Sequence, residues 1–248
     1  MKRRIRLWIV VVVCAGAVSL QAAEDPTFAT ANQAYSEGRF QEAVDGYQSL
    51  VNSGRWSASL FYDLGNAWFR LGDFGKAIVN YERALALDPQ HPEASANLRL
   101  VRDEARALEL RKDWIEGYLA MGTPAQYSIA AAVAFWFVFF GLTRSFFSPR
   151  RRSTGRMAFI AGAAMICGIS IFALYTLENG AQGRALAIVT GDDIEARLAT
   201  ADNASSILAL PAGSEIKVLS ERGEWIYAAL PNGQRGWIPA KAVERVRL

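Results

Sequence analysis

Asn32 and Asn66 stand 34 residues apart, and each is followed three residues later by an aromatic side chain, Tyr35 or Phe69. An asparagine amide carries an acceptor and two donors on a short stem, so two of them on a fixed repeat can hold an extended peptide backbone. Helical spacing of three and four puts Phe28, Asn32 and Tyr35 on one face, and Tyr62, Asn66, Phe69 and Arg70 on another. Asn97 supplies a third amide further along. These eight residues form a candidate binding surface in which amides grip backbone, aromatics cover apolar side chains and Arg70 selects an acid on the ligand. The competing reading is that Asn66 satisfies a neighbouring loop.

Other chemistry has little to be built from. His91, the single histidine, lies in "DPQHPEA" between two prolines and reads as a loop residue near a helix start. Cys14 and Cys167 fall inside apolar runs and belong to no Cys-x-x-Cys spacing, so no metal site and no cofactor are expected. Glu221 and Glu224 share a turn without an opposed acid or base, and no nucleophile–base pair is visible. The expectation is a protein that is not an enzyme. The formal net charge of +3 is concentrated in Lys2, Arg3, Arg4 and Arg6 and in five arginines between residues 144 and 156. Residues 24–118 carry 10 basic and 15 acidic side chains, and residues 178–248 carry 8 and 9. No basic face is left to follow a phosphate backbone, which argues against nucleic acid as a partner.

The elements that must position the amides follow from a repeat. Shifting by 34 residues aligns Ala31 with Gly65, Tyr35 with Phe69, Gly38 with Gly72, Phe40 with Phe74, Ala43 with Ala77 and Tyr47 with Tyr81. The second copy, "SLFYDLGNAWFRLGDFGKAIVNYERALALDP", resembles the tetratricopeptide repeat (TPR) through Phe61, Leu64, Gly65, Trp68, Ala77, Tyr81, Ala84 and Pro89. Small residues at Gly65 and Ala77 let two antiparallel helices cross closely, Gly72 turns the chain between them, and Pro89 ends the second. From Pro92 to Trp114 a charged amphipathic stretch reads as one capping helix, with Leu98 and Val101 facing the array. The expected TPR domain is residues 24–116. Two repeats and a cap make a short array that needs support from a partner or from the membrane.

The N-terminus has the form of a secretory signal, residues 1–23: a basic start, "LWIVVVVCAGAVSL", then small residues before a polar stretch, with an uncleaved anchor as the alternative. Residues 124–143 and 157–177 are two uncharged apolar runs, each of a length to span a bilayer as a helix. The arginine-rich segment between them, 144–156, is expected in the cytoplasm, which places both flanking regions outside it. After Leu177 the chain turns to short alternating runs, and Asn232-Gly233 marks a hairpin. "GWIPAKAVERV" resembles the end of bacterial SH3-like (SH3b) domains, so residues 183–248 are expected to form a small β-barrel. Trp225, Tyr227 and Trp237 are its candidate binding surface, although in so small a barrel some of the three must be core.

The expected fold class is multidomain: an all-α TPR array, a two-helix transmembrane hairpin and a small all-β SH3-like barrel. That ordered combination resembles the BatE type of the aerotolerance (Bat) operon over the whole chain. The resemblance implies a non-catalytic scaffold of the bacterial inner membrane, working beside von Willebrand A-domain membrane proteins and, indirectly, a MoxR-type ATPase. A different reading is envelope binding, in which the SH3-like barrel recognises peptidoglycan.

Overall fold

Five helices open the described chain, α1 (Pro26–Ser36), α2 (Phe40–Asn52), α3 (Ala58–Leu71), α4 (Phe74–Leu87) and α5 (Pro92–Ala105), and side-chain caps start the last three. The Ser57 hydroxyl accepts from Leu60 N–H at 3.1 Å and Asp73 Oδ1 from Lys76 N–H at 3.0 Å, each satisfying a first-turn donor. The computed structural model describes residues 26–111, 114–147, 154–181 and 183–247. The expected signal segment, Cys14 and the centre of the arginine-rich segment lie outside them. The 34-residue period is also a geometric one. Gly38 (φ +78°) and Gly72 (φ +81°) turn the chain alike, with Gly38 N–H on Tyr35 O and Gly72 N–H on Phe69 O, both at 3.0 Å. At the α3–α4 crossing a Cβ on Gly65 would come within 2.8 Å of the Tyr81 ring and 3.3 Å of the Ala77 carbonyl, so only glycine permits that approach.

The capping helix is shorter than the charge pattern implies. It ends at Ala105, and Arg106 adopts a left-handed conformation (φ 51°) that turns the chain away. Residues 107–110 then run along the β-barrel instead of continuing the helix. Leu108 O accepts from Glu215 N–H at 2.8 Å, and Leu108 N–H reaches Ser214 Oγ at 3.1 Å. The amphipathic pattern persists beyond Ala105 because Leu108 and Leu110 also face apolar surroundings, now those of the barrel and its junction with the helices.

That barrel is one antiparallel sheet in the order β3-β2-β6-β5-β4-β1-β7. Its strands are β1 (Leu186–Val189), β2 (Ile194–Arg197), β3 (Ser206–Leu210), β4 (Glu215–Arg222), β5 (Trp225–Ala229), β6 (Arg235–Pro239) and β7 (Val243–Arg245). A one-turn 3-10 helix, Ala240–Ala242, separates the last two, after Pro239. The β5–β6 turn carries Gly233 at φ +83°, with Leu230 N–H on Gln234 O at 2.9 Å. The interior is built from Ala187, Val189, Ala196, Leu210, Ile216, Ile226, Ala228 and Ile238.

The barrel and the repeats share a core. Ile78 and Tyr81 of α4 and Leu98 and Val101 of α5 pack with Leu186, Ile188 and Val246 of the barrel in one buried cluster. Two glycines make the contact close. A Cβ on Gly75 of α4 would lie 2.8 Å from Thr190 Cα, and Ile78 sits directly over Gly213. Around this apolar seam lie buried charges. Arg83 donates to Arg245 O at 2.9 Å and pairs with Glu244 at 3.0 Å. Arg102 bridges Glu82 of α4 and Glu215 of β4, all nearly buried, and Glu109 stands 3.6 Å away. The second Glu215 oxygen takes Leu110 N–H at 2.9 Å. The short array therefore finds its missing layer in the barrel.

Between the two parts run a short helix, α6 (Trp114–Leu119), and two long apolar ones, α7 (Pro124–Phe147) and α8 (Thr154–Asn179). The long pair is antiparallel: Phe137 meets Phe159 at 5.6 Å and Cys167 Sγ approaches Ala131 O at 3.7 Å. Their large side chains, among them Phe135, Trp136, Phe140, Ile169 and Phe172, are exposed, the reverse of a soluble core helix.

Removing one side of a buried ion cluster leaves like charges unpaired. Arg102→Met should therefore destabilise the detergent-solubilised protein by about 3–5 kcal/mol in denaturant unfolding. Adding Glu82→Gln to it should recover part of that loss. A single variant that unfolds like wild type would show that the cluster does not hold the two parts together.

Candidate peptide-binding surface

The eight residues singled out from the sequence lie on α1, α3 and α5, and the structure joins them into three groups. In the first repeat the Tyr47 hydroxyl donates to Asn32 Oδ1 at 2.7 Å, and Phe28 packs beside Tyr47 at 5.8 Å between ring centres. In the second the same geometry recurs, with the Tyr81 hydroxyl on Asn66 Oδ1 at 2.7 Å. Asn97 Nδ2 also donates to Asn66 Oδ1, at 2.9 Å, so the capping helix is tied into the same network. Burial raises the ionisation of both tyrosines well above the ordinary phenol range, which keeps them as donors.

These contacts settle what Asn66 holds. Its carbonyl faces the second helix of its own repeat and the cap, not a neighbouring loop. With both acceptor positions occupied, the amide is fixed in orientation. Its two N–H donors have no partner among the described residues. The amides therefore have a structural duty that their spacing does not reveal.

The third group adds a contact for Arg70 that its spacing does not show. Its guanidinium lies 4.7 Å from the centre of the Phe40 ring, while Tyr35 meets Phe40 edge-on at 5.4 Å. Arg70 thus reaches from the second repeat to the first, and its guanidinium stays exposed beside the Phe40 ring. Phe69 leans on Phe74 at 6.0 Å and partly joins the junction core.

His91 stands at a helix start, where its place between two prolines puts it, and one further group, Asp63, has no counterpart in the sequence reading. His91 caps α5 by accepting Ala94 N–H on Nδ1 at 3.3 Å, and its ring stands 5.0 Å from Tyr62. Asp63 is half-buried on α3 and has no hydrogen bond or ion pair among the described residues. Burial pushes it up to about 6, opposed by the field of His91. The clue in the sequence is an isolated acid inside the apolar and aromatic run "SLFYDLGNAWF".

On the barrel, Tyr227 and Trp237 pair across β5 and β6 with ring centres 4.9 Å apart, and Trp225 lies two residues from Tyr227 on the same face. All three are half-buried, and none belongs to the barrel core. The expectation that some must be core fails because strand alternation assigns the interior to Ile226, Ala228 and Ile238. Among the described residues there is no group of three or more histidine, cysteine, aspartate or glutamate side chains able to hold a metal ion.

An acid whose ionisation is harder in the folded state than in the unfolded chain stabilises folding only while it is neutral. Its contribution is complete below the unfolded value near 3.8 and is lost as pH rises through about 6. Asp63→Asn should accordingly raise stability at pH 8 by about 1 kcal/mol, allowing for partial solvent exposure. The gain should shrink as pH falls from 6 towards 4. Thermal melting of both proteins across that range checks the sign.

Comparison with known proteins agrees with this architecture. Residues 58–91 match the tetratricopeptide repeat model, and residues 189–246 match the variant SH3 domain model. "Tetratricopeptide repeat protein 16" of Homo sapiens is 28% identical over 78 residues, which is 32% of this chain and 9% of that protein. The chain thus spans only a small part of that relative's length. It is a protein with a tetratricopeptide repeat and an SH3-like domain, two modules that imply protein binding, separated by two long apolar helices.

Proposed function

We propose that the protein is a non-catalytic, membrane-anchored scaffold that captures an extended segment of a partner on the α1–α3–α5 face. The observation that carries this reading is the Asn66 amide, oriented by Tyr81 and Asn97 with its N–H donors left over. The helical hairpin is the anchor. The repeats precede α7 and the barrel follows α8, yet the two pack against each other, so they occupy one side of any bilayer. A chain leaving and returning to one side crosses an even number of times, and a pair of spans meets that condition. The arginine-rich segment 144–156 supports a cytoplasmic link between α7 and α8, with the docked parts outside, at the bacterial inner membrane. The order of modules supports a BatE-type role in a Bat/MoxR envelope stress-tolerance assembly, beside von Willebrand A-domain membrane proteins.

A second reading draws on the aromatic face of Trp225, Tyr227 and Trp237. Flat rings on a barrel surface suit stacking against sugar or peptide stems, which would make the barrel a peptidoglycan reader.

Reporter fusions should be active outside the cytoplasm when placed after Leu248 and cytoplasmic when placed near Ser153; the reverse pattern rejects the hairpin. Affinity purification from detergent-solubilised membranes should recover A-domain membrane proteins, and Tyr62→Ala with Asn66→Ser should reduce that recovery severalfold. Sedimentation with isolated cell wall, abolished by Trp237→Ala and unaffected by the groove changes, would favour the second reading.

A further inference from the structure

Asp63 has a position that the scaffold role alone does not explain. It projects from the middle helix of the α1–α3–α5 face, half-buried, yet no described residue forms a hydrogen bond or ion pair with it. Arg70, on the same helix, lies over the Phe40 ring at 4.7 Å and makes no ion pair with Asp63 among the described residues. The titratable and charged groups whose fields reach Asp63 come from every neighbouring element. They are Tyr35 on α1, Tyr47 on α2, Tyr81 on α4 and His91 in the α4–α5 connection. Tyr62 and Arg70 share its own helix and interact with Tyr35 beside it. An unpaired carboxylate among aromatic rings has the composition of a site for a cation.

On the groove reading above, we propose that this face takes a lysine or arginine side chain of the bound segment, with Asp63 as its counter-ion and Tyr35 and Tyr62 as flanking rings. The amide of Asn66, three residues along the same helix, then holds the backbone of that segment. The specificity is the opposite of the one Arg70 implied: a basic ligand, not an acidic one. Burial without a partner disfavours the charged carboxylate, and an incoming cation reverses that, so binding and ionisation of Asp63 reinforce each other. Affinity is therefore full above pH 6 and declines below it.

The test uses the full chain in detergent and a phage-displayed library of random nine-residue peptides, with recovered peptides resynthesised and fluorescently labelled. Selected peptides should share a lysine or arginine, and their affinity should fall by about tenfold between pH 7.5 and pH 5. Asp63→Asn should remove both the basic preference and the pH dependence. It takes away an unpaired buried charge, so its fold should survive, as melting will verify. His91→Asn keeps a capping acceptor and should leave the pH dependence in place. Peptides that bind and are lost on Tyr62→Ala, but carry no common cation or ignore Asp63→Asn, would overturn the cation site and leave the groove standing. Failure to select any peptide sensitive to Tyr62→Ala or Asp63→Asn would overturn the groove together with it.

Discussion

Arg102 lies between two carboxylates, Glu82 20 positions before it and Glu215 113 positions after it, with both long apolar helices in the longer interval. A guanidinium can serve both because its planar fork presents donors to more than one carboxylate. Burial of three charges is tolerable only while all of them are paired, which makes their relative position exacting. The apolar seam of Ile78, Val101, Leu186 and Ile188 supplies most of the attraction, being non-directional. The charged cluster fixes which face of α4 and α5 meets which edge of the barrel. What a linear reading would separate into two modules is, in three dimensions, one body with a hairpin inserted in it.

The repeats, the two apolar helices and the barrel were legible because each has a period or a turn signal of its own. The 34-residue offset appears in side-chain types and again in the φ angles of Gly38 and Gly72. Asn232-Gly233 announced its turn in the same local way. The docking was not legible. Nothing distinguishes Glu82 or Glu215 from ordinary surface acids, and the full burial of α4 around Ile78 and Val79 depends on strands more than 100 residues away. The overlong cap has the same cause: the apolar spacing is real but continues onto a different partner after Arg106.

The binding surface was legible in outline and not in electrostatics. Spacing found the asparagines and aromatics, since a helical face can be counted. It could not show that Asn32 and Asn66 also hold Tyr47 of α2 and Tyr81 of α4, or that Arg70 reaches the Phe40 ring of the other repeat. Asp63 was passed over because helix faces were scored for residues that grip a backbone, and a single acid beside Tyr62 does not stand out by type. Charge roles depend on which neighbours are already satisfied, and that is a property of packing.

The separation between Arg83 and the barrel backbone it binds, Val246 O at 3.4 Å, is 163 residues. Synthesis runs from the N-terminus, so α4 and α5 are made long before β1 and β7 exist. Their apolar flank has no partner until the two long helices and the strands of the barrel have followed. Contacts this remote in sequence form late, and a surface waiting for them is open to wrong partners in the meantime. α4 and α5 are thus completed by segments made much later, and biogenesis of this protein has the character of closing a clasp whose two halves arrive far apart in time.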